Sequence, residues 1–439
     1  MLLKTPIDEL QRSGGERIVM TSSFDRTMRR LGKITDGRTP LEVAESLVPK
    51  HHKAPPRIRY SSKHDPEAIN ARWANTEISA EAKETILDPN AIETAADFKG
   101  NIENYIGTVK IPIGAGGPLR INGLHAQGDY YVPLATTEGA LVASFARGMD
   151  VITAAGGCSA GVLAEGVSRV PAFLFENVME SGLFVSWVSE NLEQLKSEAE
   201  STTRHGKLID ISFNIEGNTV YVSFSFETGD ASGQNMVTIA TDAACRYALE
   251  HSPIKPRRWF IEANMSGDKK ATAQSFQSVR GRKVMAEITI PKDMLKRKLH
   301  TTPEAMTDGW RVGMLGGVMS GTIGAQAHFA NGLTALFIAT GQDVATVSEA
   351  AVGVTKMEIT SKGDLYVSVT LPNLIIGTVG GGTGLPSQNA CLEIMGLAGT
   401  GKASAFAEVA AGLCLAGELS ISAAVCAGQF TQAHKKLAR

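Results

Sequence analysis

The sequence predicts a mixed α+β chain of three parts. These are a small helical N-terminal region, a large helix-rich domain around a long central helix, and a small α/β domain inserted into it. Three observations predict this. At 439 residues the chain is too long for one ordinary domain. Near residue 100 its composition changes from polar and charged to apolar and glycine-rich. Between 171 and 261, helical and strand-like patterns alternate as in a compact α/β unit. The boundaries read from these shifts are 1–105, then 106–170 together with 262–439, with 171–261 as the insertion.

In chain order, Pro40–Val48 and Ser79–Leu87 have helical spacing and flank the basic, proline-containing stretch Lys50–Arg59. Thr108–Ile113 has strand character. Thr136-Thr137-Glu138-Gly139 precedes a helical pattern over Ala140–Ala155, with the threonines placed to cap it. The insertion reads as a helix (Ser186–Glu200), strands (Leu208–Ile215 and Thr219–Phe226), a helix (Gln234–Glu250) and a strand (Trp259–Glu262). Strands at Val284–Ile290 and Leu365–Thr370 then alternate with apolar helices at Ser320–Thr340, Gln388–Leu397 and Ala407–Lys436. The most apolar stretch, Val409–Phe430, carries Glu418 in its middle and reads as a buried core helix. No apolar stretch reaches the roughly 18 uncharged residues that a membrane span needs.

Bulk properties narrow the function. A net charge of −2 gives no broad reason to expect nucleic acid or an anionic membrane as partner. A phosphate-bearing ligand must therefore be held by local basic groups. The N-terminus shows no secretory pattern, and the five cysteines lack C-x-x-C spacing, which points to buried thiols in a reducing cytoplasm. No histidines have metal-ligand spacing, so no metal is expected. Gly396 to Ala403 nearly matches a phosphate loop, but Ala403 replaces the required hydroxyl and a helix-like segment precedes it. The dinucleotide fingerprint is absent in its strand-turn-helix setting, so the chain is not a Rossmann fold.

Four groups stand out. Lys269 and Lys270 follow Asp268, just after a strand. Asp343 follows an apolar helix, whose C-terminal dipole tends to raise a carboxyl pKa. Glu138 stands at a helix start, and His434 near the carboxyl end. Taken singly, each also fits a solvated turn, a helix-end charge or a tail residue.

Five separated segments resemble the signature regions of the 3-hydroxy-3-methylglutaryl-CoA reductase family. They are Glu103 to Leu119, Ala135 to Gly139, Gly229 to Met236, Asp268-Lys269-Lys270 with Thr340 to Asp343, and Gly377 to Thr383 followed by the His434 tail. The resemblance implies an NADPH-dependent reductase that turns a CoA thioester, 3-hydroxy-3-methylglutaryl-CoA, into mevalonate. Another branched or dicarboxylic acyl-CoA is the alternative. It implies that Lys269 stabilises the oxyanion, Glu138 donates a proton, Asp343 lies between them, and His434 protonates departing CoA. It places Thr203 and Arg204 on the cofactor's 2′-phosphate, with Asp230, Gln234, Asn235, Gly380, Gly381 and Gly382 as further cofactor contacts. Arg169, Asn264, Lys270, Arg311 and Asn331 fall on substrate positions, and 171–261 becomes the NADPH-binding domain. A homodimer, or a multiple of it, with the site at the interface is also implied. Two departures stand out: Glu262 replaces the family's serine, and Arg311 its lysine. Glu262 is expected to weaken the grip on the substrate's carboxylate unless it pairs with Arg311 or turns away.

Overall fold

The computed structural model describes residues 23–50, 58, 61–74, 76 and 78–431. His434 lies outside the described residues, as does most of the Lys50–Arg59 stretch. The chain separates into two units, 1–59 and 60–439. The first shows helices Ser23–Thr35 and Pro40–Leu47. The second of these starts where Thr39 and Glu42 form a capping box and Pro40 takes the first helical position. In the larger unit, Asp65, Ser79 and Asp88 each cap a short helix. Residues 60–105 thus fall with the larger unit.

Ten strands among the described residues form one sheet. Its central path runs Arg258–Phe260, Ala172–Leu174, Thr219–Glu227, Cys158–Arg169, Gly281–Ile290, Leu365–Leu374, Val354–Ile359. The strand Cys158–Arg169 links two halves. Ser159 to Gly166 pair with Gly281 to Glu287, whereas Val167 to Arg169 pair with Phe224 to Phe226. Two hydrophobic cores follow: one includes Phe145, Leu333, Phe406 and Leu413, the other Phe173, Phe184, Phe224 and Val237. The second core lies within 167–261.

The helix Ala403–Cys426 runs through the first core and is long and apolar enough by composition to cross a membrane, yet most of it is buried in protein. Its two acids have partners, as burial demands. Glu408 receives the backbone N–H groups of His125 and Ala126 at 2.9 and 2.6 Å. Glu418 receives those of Ala327 and His328, and the Thr355 hydroxyl at 2.8 Å.

The structure corrects four expectations. The first strand is Ile113–Gly123, not Thr108–Ile113. Ser186–Glu200 is two helices, Val178–Glu190 and Leu192–Ser201, broken at Asn191. Ser320–Thr340 is interrupted: Pro303–Ser320 ends at Gly321, left-handed at φ 78°, and Phe329–Thr340 begins after a loop. The helix Leu141–Ala154 is entered through Ala140 at φ 70°, so the threonines do not cap it; Thr136 instead receives the Glu138 N–H.

Close helix packing generates a prediction. A Cβ at Gly148 would stand 1.9 Å from the Ala416 carbonyl oxygen of the central helix. Gly148→Ala should therefore cost at least about 2 kcal/mol in urea unfolding, because neither backbone can retreat. An unchanged midpoint would show that these helices do not touch there.

Candidate active site

Lys269 stands in a loop with left-handed residues at Asn264, Gly267 and Lys269 (φ 64°, 75° and 57°). A lysine in that conformation needs the surroundings to hold it. Its N–H donates to Glu349 Oε1 at 3.0 Å, and the wholly buried Glu349 is gripped by Arg280 Nη1 at 2.7 and 2.8 Å. Burial pushes the Glu349 carboxyl up, against the pull of Arg280. Lys269 Nζ lies 3.0 Å from Asp343 Oδ2, and both side chains are partly exposed. Asp343 opens the turn Val344–Thr346 and also receives Gln234 Nε2 at 3.3 Å.

Four segments converge beside this pair. A Cβ at Gly341 would stand 2.2 Å from the Gly382 carbonyl, so Gly380–Gly382 packs on the strand-free turn that presents Asp343. The Gln342 amide bonds both the N–H and the carbonyl of Gly377. Arg282 donates to the carbonyls of Gly229 and Ile376, tying the two glycine segments together. Asp230 accepts from Gly401 and Ala403 N–H at 2.7 and 3.1 Å, capping the central helix. Two amides of the phosphate-loop lookalike are thus already used.

The cofactor candidates gather at the start of Gln234–His251. Thr203 receives the N–H groups of His205 and Gly206 and donates to Met236 Sδ at 3.0 Å. Arg204 and Asn235 are exposed, and the Arg204 guanidinium has no hydrogen bond or ion pair among the described residues. Open space lies over Gly380 and Gly381, where backbone can approach a ligand. An exposed guanidinium and an open glycine loop are both features that suit a phosphate-bearing dinucleotide.

Glu138 belongs to a different place. Its carboxylate receives Asn331 Nδ2 at 3.1 and 3.3 Å, at the edge of a cavity of about 520 Å³. Sequence reasoning missed that cavity's walls, including Phe145, Arg147, His328 and Ile421. His328 stacks on Phe145 and its Nδ1 lies 3.3 Å from Glu418. Arg147 binds the Ser420 carbonyl at 2.6 Å, and burial pulls its pKa down. The signal that could have found this wall was Glu418 itself, since an acid in an apolar helix must have partners.

Glu138 makes no hydrogen bond or ion pair with Lys269 or Asp343 in the single chain. Asn331 lies in the first turn of Phe329–Thr340 and Asp343 beyond its last, so about 14 Å of helix separates them.

A family model for hydroxymethylglutaryl-coenzyme A reductase matches residues 68–439. The chain is 46% identical over 360 residues to the 3-hydroxy-3-methylglutaryl-coenzyme A reductase of Pyrococcus horikoshii, covering 80% of this chain and 86% of that one. The chain belongs to the hydroxymethylglutaryl-CoA reductase family. It is also 44% identical over 375 residues to the reductase of Methanothermobacter thermautotrophicus, covering 85% and 94%. Among solved structures it resembles the class II reductase from Streptococcus pneumoniae bound to NADPH in open conformations. The TM-score is 0.62, with 82% of this chain and 96% of that one covered. At 20% identity, that likeness speaks for the fold alone.

Among the substrate positions expected for this reductase family, Lys270 Nζ bonds the Asp268 carbonyl at 2.8 Å and Asn264 N–H donates to Glu262. Arg311 is exposed and pairs with Asp308 on its own helix. Glu262 does not pair with Arg311: it binds the buried Arg169 at 2.9 Å.

The capping role of Asp230 generates a prediction. Asp230→Ala should lower stability by about 1 to 2 kcal/mol through loss of two amide partners at a helix start. Thermal melts without ligand measure it, and an unchanged melting temperature would show that these two bonds do not stabilise the helix start.

Proposed function

We propose that this chain reduces 3-hydroxy-3-methylglutaryl-CoA to mevalonate and CoA, consuming two NADPH. The observation that carries the reading is the Lys269–Asp343 pair beside an open glycine loop, in a chain of this family. NADPH, when bound, supplies the hydride. Arg204 and Thr203 would hold its 2′-phosphate, while Gln234, Asn235 and Gly380–Gly382 shape the rest of the cleft. Asp230 fixes that cleft by capping the central helix. Lys269 Nζ, held by Asp343, meets the oxygen on which charge develops. Glu138, oriented by Asn331, delivers a proton to it. The apolar cavity beside Glu138 suits the pantetheine arm of CoA, with Arg147 and Ser144 as its polar points. His434 keeps the role that the resemblance gives it, as the acid for departing thiolate.

The two halves unite through a second copy of the chain. One protomer supplies Lys269 and Asp343, its partner Glu138, Asn331 and the cavity. An exposed apolar stripe on Pro303–Ser320 supports such a homodimer: Val312, Leu315, Val318 and Met319 recur at helical spacing. A cytoplasmic setting fits the five free thiols, of which burial pushes Cys158 up to about 12.

Assays should count two NADPH oxidised per CoA released. Lys269→Ala should lower turnover at least about a hundredfold and leave NADPH binding near the wild-type level, because it removes charge stabilisation from the transition state. Near-wild-type turnover would overturn the assignment.

A further inference from the structure

Arg169 ends the strand that joins the two halves of the sheet and is almost fully buried. Its Nη1 lies 2.9 Å from Glu262 Oε2 and 3.3 Å from Asp268 Oδ2. Asp268 also serves Arg280, at 2.9 Å. The other Glu262 oxygen receives Asn264 N–H at 2.7 Å and the Ser266 hydroxyl at 3.1 Å, within the loop that carries Lys269. Glu262 therefore joins the arginine to the lysine loop. It is the more accessible member of its pair, with 27% of its side chain exposed against 8% for Arg169.

In this cluster Arg169 and Arg280 face Glu262, Asp268 and Glu349, so positive charge is already matched. A carboxylate arriving from outside must displace Glu262 or share the guanidinium with it. Displacement is sterically open, because Glu262 has a route to water, but it exchanges one ion pair for another. The net gain from a substrate carboxylate is therefore small.

We infer that Glu262 is a specificity-determining residue: it occupies Arg169 as a built-in carboxylate and sets how strongly the distal carboxylate of the acyl group is bound. This rests on the reading that Arg169 receives that carboxylate.

The test is steady-state kinetics with two substrates, 3-hydroxy-3-methylglutaryl-CoA and an acyl-CoA of similar size with an uncharged end. Glu262→Gln removes the charge and keeps an oxygen for Asn264 and Ser266, while Asp268 still pairs with Arg169. It should lower KM for the carboxylate substrate by about fivefold or more, the worth of one charge-assisted bond. kcat should stay within about twofold, and KM for the uncharged substrate should not move. If a thermal melt shows the Gln variant to be destabilised, Glu262→Ser should give the same split. An unchanged or raised KM for the carboxylate substrate, or equal shifts for both substrates, overturns the inference. Arg169→Gln separates the two levels. If it raises KM for the carboxylate substrate while the Glu262 variants lower nothing, the inference fails and the reading of Arg169 stands. If it leaves that KM unchanged, the reading fails and takes the inference with it.

Discussion

Glu349 is wholly buried, and its carboxylate receives both the Arg280 guanidinium and the backbone N–H of Lys269. That acceptor helps to hold the left-handed backbone at Lys269, together with the Lys270 N–H bond to the Gly267 carbonyl, and so keeps Nζ in registry with Asp343. The pair is demanding to keep: removing one partner of a buried ion pair typically costs about 3 to 5 kcal/mol, because the other charge is stranded. From this point the site extends outward. Arg280 reaches Asp268, Asp268 reaches Arg169, and Arg169 reaches Glu262, so one chain of charges, with its arginines buried and its outer acids partly exposed, spans the joint between the two halves of the sheet.

A second constraint is the stiffness of Phe329–Thr340. That helix is packed into the large core, and it carries Asn331 near its start and presents Asp343 past its end. Glu418 anchors the start through the backbone of Ala327 and His328, and the Gly341–Gly382 contact anchors the end. Neither end has room to move toward the other. Glu138 and Lys269 thus meet two ends of one rigid element, through Asn331 and Asp343, and a symmetric pair of chains can bring unlike ends together.

Much of the fold was legible in local patterns. The helix after Gln234, the hairpin Lys207–Glu216 with Thr219–Glu227, and the buried central helix follow from spacing and from Glu418 within an apolar run. The errors have physical causes. Thr136 and Thr137 look like caps, but Ala140 takes a left-handed conformation that no residue type announces. The apolar run before Thr340 hid a break at Gly321, because hydrophobicity continues through the loop. Of the candidate site, the residues proposed to react were named through family motifs. Their grouping was not, since the partner of Glu262 lies 93 residues away and charge alone does not name it.

The proposed division of the site between two chains is tested most directly by mixing two inactive variants. Glu138→Gln and Lys269→Ala, each homodimeric, should both be nearly inactive. Refolded together or subunit-exchanged, they should regain about a quarter of wild-type turnover: half the dimers are hybrids, and each hybrid holds one intact site. Failure to regain activity when hybrid dimers are shown to form would mean that Glu138 and Lys269 serve the same site from the same chain, and would contradict the account.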